Sequence, residues 1–205
     1  MALSKQKLVD GLKDAFTKAK EVEEKTKKDS EGNDVKVSEA INSQSDIAGF
    51  IADAIVSYAS DAEVLVSTPF TTPVPAPDPS VVGAKLKVQT SQVGKEALKS
   101  AVLASMNTQD AAMLAVTNGI IAYTLASFTV FANSAGTITA SGASAMVVPP
   151  ALISTLAVGL AGGSEDDVIN LMSTIIHASF VSTTFTGVGV NATAASTGPV
   201  VSTLV

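Results

Sequence analysis

The sequence contains no cysteine and no tryptophan, and its 13 basic residues are all lysine. Without cysteine the chain has no disulfide, no zinc–thiolate site and no thiol nucleophile. A nucleic-acid partner would require basic groups that displace counterions from phosphates. Because arginine is absent and the net charge is -6, the sequence argues against nucleic acid as a partner.

Charged residues are scarce, at 16 % of the chain, and their distribution is uneven. Every lysine lies at or before Lys99, and the charged residues beyond it are Asp110, Glu165, Asp166 and Asp167. Few charges mean weak repulsion between copies of a protein. The composition therefore predicts a structural protein whose surface is covered by copies of itself or by neighbouring proteins.

The amino-terminal sequence MALSKQKLVDGLKDAF is charged and amphipathic. It lacks the apolar segment of a secretory signal. We therefore expect the chain to be made in the cytoplasm and not to be exported by the general route.

Three longer segments, 46–60, 112–127 and 166–182, carry apolar residues at helical spacing and align with one another. The candidate helix N-caps are Ser45 for the first, Asn107 or Thr108 for the second, and Ser164 for the third. A shorter apolar repeat with a spacing of four precedes each of them, at Leu8–Leu12–Phe16, Leu98–Val102–Met106 and Leu152–Leu156–Leu160. The residues predicted to form the buried core are Ile47, Ile51, Ile55, Val116, Ile120, Ile175 and Ile176.

An extended stretch rich in Thr and Val follows each longer helix, which favours strands. The proline-rich segment 73–79 favours polyproline II or a loop. The sequence thus predicts an α+β fold, with a body of helical pairs and extended β and polyproline arms that reach outward. The three units are 1–92, 93–148 and 149–205, either a degenerate triplication or a chance recurrence of amphipathic patterns.

Two features lie outside this unit pattern. The charged segment 20–44 is interpreted as a solvent-facing helix end and loop, with a turn at 29–34, DSEGND. That hexapeptide resembles a calcium loop only in part, because the complete series of ligands is missing. Val82, Leu86 and Val88 predict a short strand.

No residue pattern in the sequence supports catalysis, so we expect no enzyme and no catalytic, cofactor-binding or metal-binding residues. His177 is the one histidine, and the apolar sequence around it predicts a packed or interface side chain. Glu165, Asp166 and Asp167 are expected to cap a helix rather than to bind a cation. The glycine-rich segment 187–192 precedes no convincing helix, which argues against dinucleotide binding. No small-molecule substrate is indicated.

A membrane protein is the first alternative. Segments 111–132 and 146–162 lack charge, and the first is long enough to span a bilayer. Polar residues interrupt the first segment, and prolines break the second. No lysine or arginine follows Lys99, so neither segment has a cationic flank that would fix its orientation. A carbohydrate-binding or adhesive tip protein is the second alternative. Such a tip would need exposed aromatic residues, and Tyr58 and Tyr123, the two tyrosines, both lie on apolar faces.

The pattern AIxxYxxxAxVxVST that begins at Ala54, the TPVPAP that follows it, the arms rich in small residues and the absence of cysteine resemble structural proteins of tailed-bacteriophage virions. The resemblance implies a neck, tail, baseplate or capsid decoration component, located in the virion after synthesis in the host cytoplasm. Its partners would be copies of itself and other virion proteins. Apolar helix faces and the arms would form the contacts, and deleting residues 193–205 is expected to impair assembly more than folding.

Overall fold

The computed structural model describes residues 3–66, 85–89, 92–106, 128–133, 136–142, 163–181, 184–191 and 196–204. This part of the chain contains four helices, one antiparallel strand pair and a closed antiparallel sheet of six strands. The protein is therefore a mixed α+β protein, as the sequence predicts.

The four helices coincide with four of the segments that the apolar spacing predicts as helical. The other two predicted helices, 112–127 and 152–160, lie outside the described residues, as do the candidate caps Asn107 and Thr108. The helices are α1 (Lys5–Ala19), α2 (Gln44–Ala59), α3 (Gln92–Met106) and α4 (Glu165–Val181).

Helices α2 and α4 begin with the same capping arrangement. Ser43 Oγ accepts a hydrogen bond from the Asp46 N–H at 3.2 Å, and the Asp46 carboxylate accepts one from the Ser43 N–H at 2.9 Å. The predicted cap Ser45 is therefore wrong, because Ser43 has the acidic residue three positions later that closes this reciprocal pair. Ser164 is confirmed as the cap of α4, where its Oγ accepts from the Asp167 N–H at 3.3 Å.

The four helices share one hydrophobic core, in which α1 packs against α2 and α4 while α2 also packs against α3. Within the predicted core, Ile47 packs at the edge, whereas Val116 and Ile120 lie outside the described residues. The burial of the remaining four confirms that part of the prediction. These four residues are Ile51, Ile55, Ile175 and Ile176.

Helices α1 and α2 approach each other closely at a small residue. A Cβ atom placed on Gly11 would lie 3.2 Å from the Ala54 Cβ, tighter than an ordinary van der Waals contact. Beside this crossing, Lys7 Nζ donates to the Ser57 carbonyl at 3.0 Å and to Asp61 Oδ2 at 2.5 Å. The glycine lets the two backbones meet, and the lysine ties the end of α2 to the start of α1.

The charged segment 20–44 contains a β-hairpin, so the predicted helix end and loop are wrong there. Strands β1 (Val22–Lys28) and β2 (Asp34–Ala40) pair antiparallel, with Val22 opposite Ala40 and Lys28 opposite Asp34. The sequence VKVSE in β2 alternates apolar and polar residues, which is the strand period, and a tight turn follows β1. The alternation of apolar and polar residues in β2 therefore indicates the strand correctly, although the high charge of the segment suggested a loop.

The other six strands form the closed sheet, in which each strand pairs with the next one along the chain and the last pairs with the first. The short strand predicted at Val82, Leu86 and Val88 is confirmed at Leu86 and Val88, in the second of the six strands, and Val82 lies outside the described residues. These strands are β3 (Glu63–Val66), β4 (Lys85–Gln89), β5 (Phe128–Asn133), β6 (Gly136–Gly142), β7 (Thr184–Asn191) and β8 (Ser196–Leu204).

Strands from the predicted arms pair with each other rather than reaching outward. Strand β8 pairs with β7 along most of its length and with β3 near its end, where Val64 lies opposite Leu204. Closure gives each of the six strands two neighbours, which satisfies backbone groups that an isolated arm would leave open. Each predicted unit, 1–92, 93–148 and 149–205, supplies two of the strands, and the units themselves remain a prediction.

Candidate interaction surfaces

The turn of the hairpin is built around one carboxylate. Asp29 Oδ1 accepts hydrogen bonds from the N–H groups of Glu31 and Asn33, each at 2.9 Å. The backbone hydrogen bond from Asn33 is the main reason that the pKa of Asp29 lies below its usual value. Gly32 has a φ of 86°, a left-handed conformation that favours glycine. Residues 29–33 thus form a turn within the predicted segment 29–34, and Asp34 begins β2.

The two strands of the hairpin are held by opposite charges on a shared face. Glu39 contacts Lys27 and also Lys25, the latter at 3.3 Å. These two lysines, Lys27 foremost, lower the pKa of Glu39. Exposed ion pairs of this kind each contribute little to stability, from near zero to about 1 kcal/mol. They therefore add little to the stability of the hairpin, whose register is set by its turn.

The hairpin is open to solvent on both faces. Every residue of β1 is exposed, and in β2 Val37 and Glu39 alone are half-buried. Val22 and Val35 are 56 % and 41 % exposed. Two strands without a covered face are marginally stable by themselves. A partner that covers one face or edge of this hairpin would therefore increase its stability.

Hydrogen bonds at the two ends of the hairpin establish which backbone groups face outward. The Asp29 N–H donates to the Asn33 carbonyl at 2.9 Å, and the Ile41 N–H donates to the Glu21 carbonyl at 3.1 Å. Bonded and non-bonded pairs alternate along an antiparallel ladder. Odd-numbered residues of β1 and β2 thus bond across the hairpin, while the N–H and C=O groups of even-numbered residues point away from it.

The acidic first turn of α4 joins that helix to α1. Lys13 Nζ lies 2.8 Å from Asp166 Oδ1, and Lys20 contacts Glu165. Asp167 binds the capping serine, whose side-chain hydrogen bond is the main reason that the pKa of Asp167 lies below its usual value. Asp167 therefore caps α4 as predicted, whereas Glu165 and Asp166 lie in the same first turn and pair with lysines of α1.

His177 lies on α4 against α2, where it meets the buried tyrosine of that helix. The Tyr58 hydroxyl lies 2.7 Å from His177 Nδ1, and the Tyr58 ring packs edge-on against Phe180 with centroids 5.5 Å apart. Burial raises the pKa of Tyr58. Burial, with a smaller effect of nearby Lys5, lowers the pKa of His177. His177 is half-buried and contacts Tyr58, which is consistent with the predicted packed or interface side chain.

The stability of the helical body is expected to fall as the pH is lowered from 7.5 to 5.5. His177 has a lower pKa in the folded chain than its ordinary value of 6.5, so the unfolded chain binds a proton first. Stability is therefore complete above about pH 6.5 and is lost as the pH falls towards the folded-state pKa. Urea midpoints followed by circular dichroism at pH 7.5, 6.5 and 5.5 measure this loss.

The variant His177→Gln is the control, because it removes the one side chain whose ordinary pKa lies in this range. Its urea midpoint should stay constant between pH 7.5 and 5.5. The capping carboxylates do not interfere, since the lowered pKa values of Asp46 and Asp167 place their loss below about pH 4. An equal pH dependence in the variant would show that His177 does not cause the effect.

A groove of about 240 Å³ opens between α1 and α2. Asp14 in its wall binds Lys18 at 2.6 Å, and the Lys18 ammonium lies 5.7 Å from the centre of the Phe50 ring. Asp53, also in the wall, binds Lys95 of α3 at 2.7 Å. Both carboxylates are thus neutralised within the chain, and the groove presents no unpaired charge that would select a ligand.

Within the described residues, no three His, Cys, Asp or Glu side chains are arranged to hold a metal ion. None of the described helices is both long enough and apolar enough to cross a lipid bilayer. The candidate spans fall largely outside the described residues, except that 128–132 lies in β5. No protein-family model, curated protein or solved structure matches the chain.

Proposed function

We propose that the chain is a non-enzymatic structural component of a virion, of the neck, tail, baseplate or capsid decoration type. It would assemble with copies of itself and with other virion proteins, without a cofactor, metal or small-molecule substrate. The proposal extends the resemblance of the sequence to tailed-bacteriophage structural proteins. The observation that supports this proposal most directly is the absence of charged residues from most of the closed sheet.

Strands β5 to β8 contain no Lys, Arg, Asp or Glu. They make up four of the six strands of the closed sheet, so this part of the sheet has no charged residue for either face. Few charged side chains on a surface mean weak repulsion between copies of a protein. A sheet without them favours close packing against another uncharged surface, as in a protein assembly.

The helical body contributes a second set of uncovered apolar residues. Most of its apolar residues are used inside the chain, but Val93 and Met106 at the two ends of α3 are 77 % and 37 % exposed. Val181 at the end of α4 is 48 % exposed. These residues make the ends of the helices candidates for the predicted contacts through apolar helix faces.

Sedimentation velocity of the recombinant chain, without detergent and over a hundredfold range of concentration, tests the proposal. We expect one discrete oligomer whose sedimentation coefficient is insensitive to salt, because uncharged contacts are not screened. A species that stays monomeric at every concentration would contradict self-assembly. A chain that stays in solution only when detergent is present would favour the membrane alternative.

A further inference from the structure

We propose that the β2 edge of the hairpin pairs antiparallel with the β2 edge of a second copy, about a two-fold axis at Val37. The result is a four-stranded sheet in the order β1, β2, then β2 and β1 of the second copy. The inference rests on the proposed function, because it names one contact through which the copies associate.

The outer edge of β2 has the backbone groups that such a pairing needs. Lys36 and Ser38 are even-numbered, so their N–H and C=O groups point away from β1. With the axis at Val37, Lys36 of one copy lies opposite Ser38 of the other, and each such pair exchanges two hydrogen bonds. Asp34 and Ala40 pair in the same way, so all of β2 is used.

The charge pattern of β2 is compatible with itself in this register. Opposite residues share a face, so an antiparallel two-fold axis must place one residue against its own copy. At Val37 that contact is apolar, Lys36 faces Ser38, and Val35 faces Glu39. No like charges meet directly. An axis at Lys36 would instead oppose two lysines, at a cost in stability.

The β1 edge cannot pair with its own copy in a central register without placing like charges opposite each other. An axis at Lys25 opposes two lysines, and an axis at Glu24 opposes two glutamates. An axis at Thr26 places Lys25 against Lys27 of the other copy. Every central register of β1 therefore brings like charges together, which assigns the contact to β2.

The pairing also covers apolar surface that the single hairpin exposes. Val35 and Val37 lie on the same face of β2, next to the open edge. In the four-stranded sheet the two copies of Val37 form its centre, and the Lys25–Glu39 and Lys27–Glu39 ion pairs lie on the same face. Each marginally stable two-stranded hairpin thereby becomes one half of a four-stranded sheet, which is large enough to be stable.

Because the chain contains no cysteine, single-cysteine variants test the contact directly. The N–H and C=O groups of Val37 bond to β1. Across the axis the two Val37 residues therefore form a non-hydrogen-bonded pair, with Cα atoms about 4.5 Å apart. That distance allows a disulfide. In the full-length Val37→Cys variant we expect a reducible dimer under mild oxidation, formed at least about tenfold faster than by the Thr26→Cys control.

Thr26 is the matched control because it lies in the same exposed hairpin, on β1. In the proposed sheet the two β1 strands are three strand spacings apart, about 14 Å, too far for a disulfide. Equal cross-linking rates at positions 26 and 37 would overturn the proposal. Circular dichroism of both variants checks that the fold is retained.

The variant Lys36→Pro in the Val37→Cys background provides a second readout. It removes an N–H that points outward, so the bonds of β2 to β1 are kept while the pairing between copies is lost. Cross-linking should fall to the rate of the Thr26 control, and an unchanged rate would contradict the register. Sedimentation separates the two proposals: an oligomer without preferential cross-linking at position 37 overturns this contact alone, and a monomer without cross-linking overturns both.

Discussion

Replacing Ile55 with alanine is expected to lower the free energy of unfolding of the helical body by about 2–5 kcal/mol. Ile55 lies in the middle of α2 and is fully buried, at 0 % exposure, in the core shared by the four helices. The change removes buried methyl and methylene groups and leaves a cavity that the neighbouring helices close only in part. Urea unfolding followed by the helical circular dichroism signal measures the loss.

Ile41→Ala is the matched control for this experiment. The chemical change is identical, but Ile41 is 54 % exposed at the end of the hairpin and lies outside the core. Its free energy of unfolding should change by less than about 0.5 kcal/mol. A loss at Ile55 no larger than that at Ile41 would show that α2 does not pack against its neighbours as described.

Deleting residues 193–205 is expected to open the closed sheet while the helical body stays folded. The deletion removes β8, which pairs with both β7 and β3, so two strand edges lose their partners. Strand β7 has no charged residue to oppose association, and strands with open edges pair with other chains. We expect a retained helical signal, a changed β signal and higher-order aggregates in place of a discrete species.

A synthetic peptide with the sequence of residues 193–205 serves as the control for the deletion. Added in excess during refolding, it should restore the β signal and reduce aggregation, because β-strand addition supplies the missing partner. A peptide with the same composition in scrambled order should have no effect. A truncated chain whose sedimentation and β signal equal those of the full chain would contradict the position of β8 in the sheet.

This expectation revises the one drawn from the sequence. The composition of the arms predicted strands that seek partners in other chains, and removing them was expected to affect assembly. The structure shows that β8 already has partners in its own chain, near Thr186 on β7 and Leu65 on β3. The same deletion therefore acts on the fold of the sheet first and on any assembly as a consequence.

The helical part of the fold could be predicted because the information is local. Apolar residues such as Ile51 and Ile55 recur at the helical period, and a buried face follows from that spacing. The cap at Ser164 is equally local, since an acidic residue lies three positions later. The error at the start of α2 has the same origin, because Ser43 and Ser45 both precede a helical pattern and the reciprocal bond to Asp46 decides between them.

The candidate contact surface could not be predicted in the same way. The valines of β2 alternate as a strand should, but this signal is short and stands among many charges. That the hairpin is left uncovered on both faces depends on where the rest of the chain packs. The Val37 contact depends on the open edge of β2 and on the fact that its even-numbered residues point their N–H and C=O groups away from β1. Both follow from tertiary structure.

By itself the sequence determined the α+β class, the apolar faces of the described helices and the charge-free composition of β5 to β8, because each is a property of neighbouring residues. Tertiary structure alone decided that the arms close into a sheet and that Tyr58 meets His177, 119 positions away. Contacts at such separation depend on which distant segments can be brought together at a tolerable loss of chain entropy. No local pattern along the chain encodes that choice.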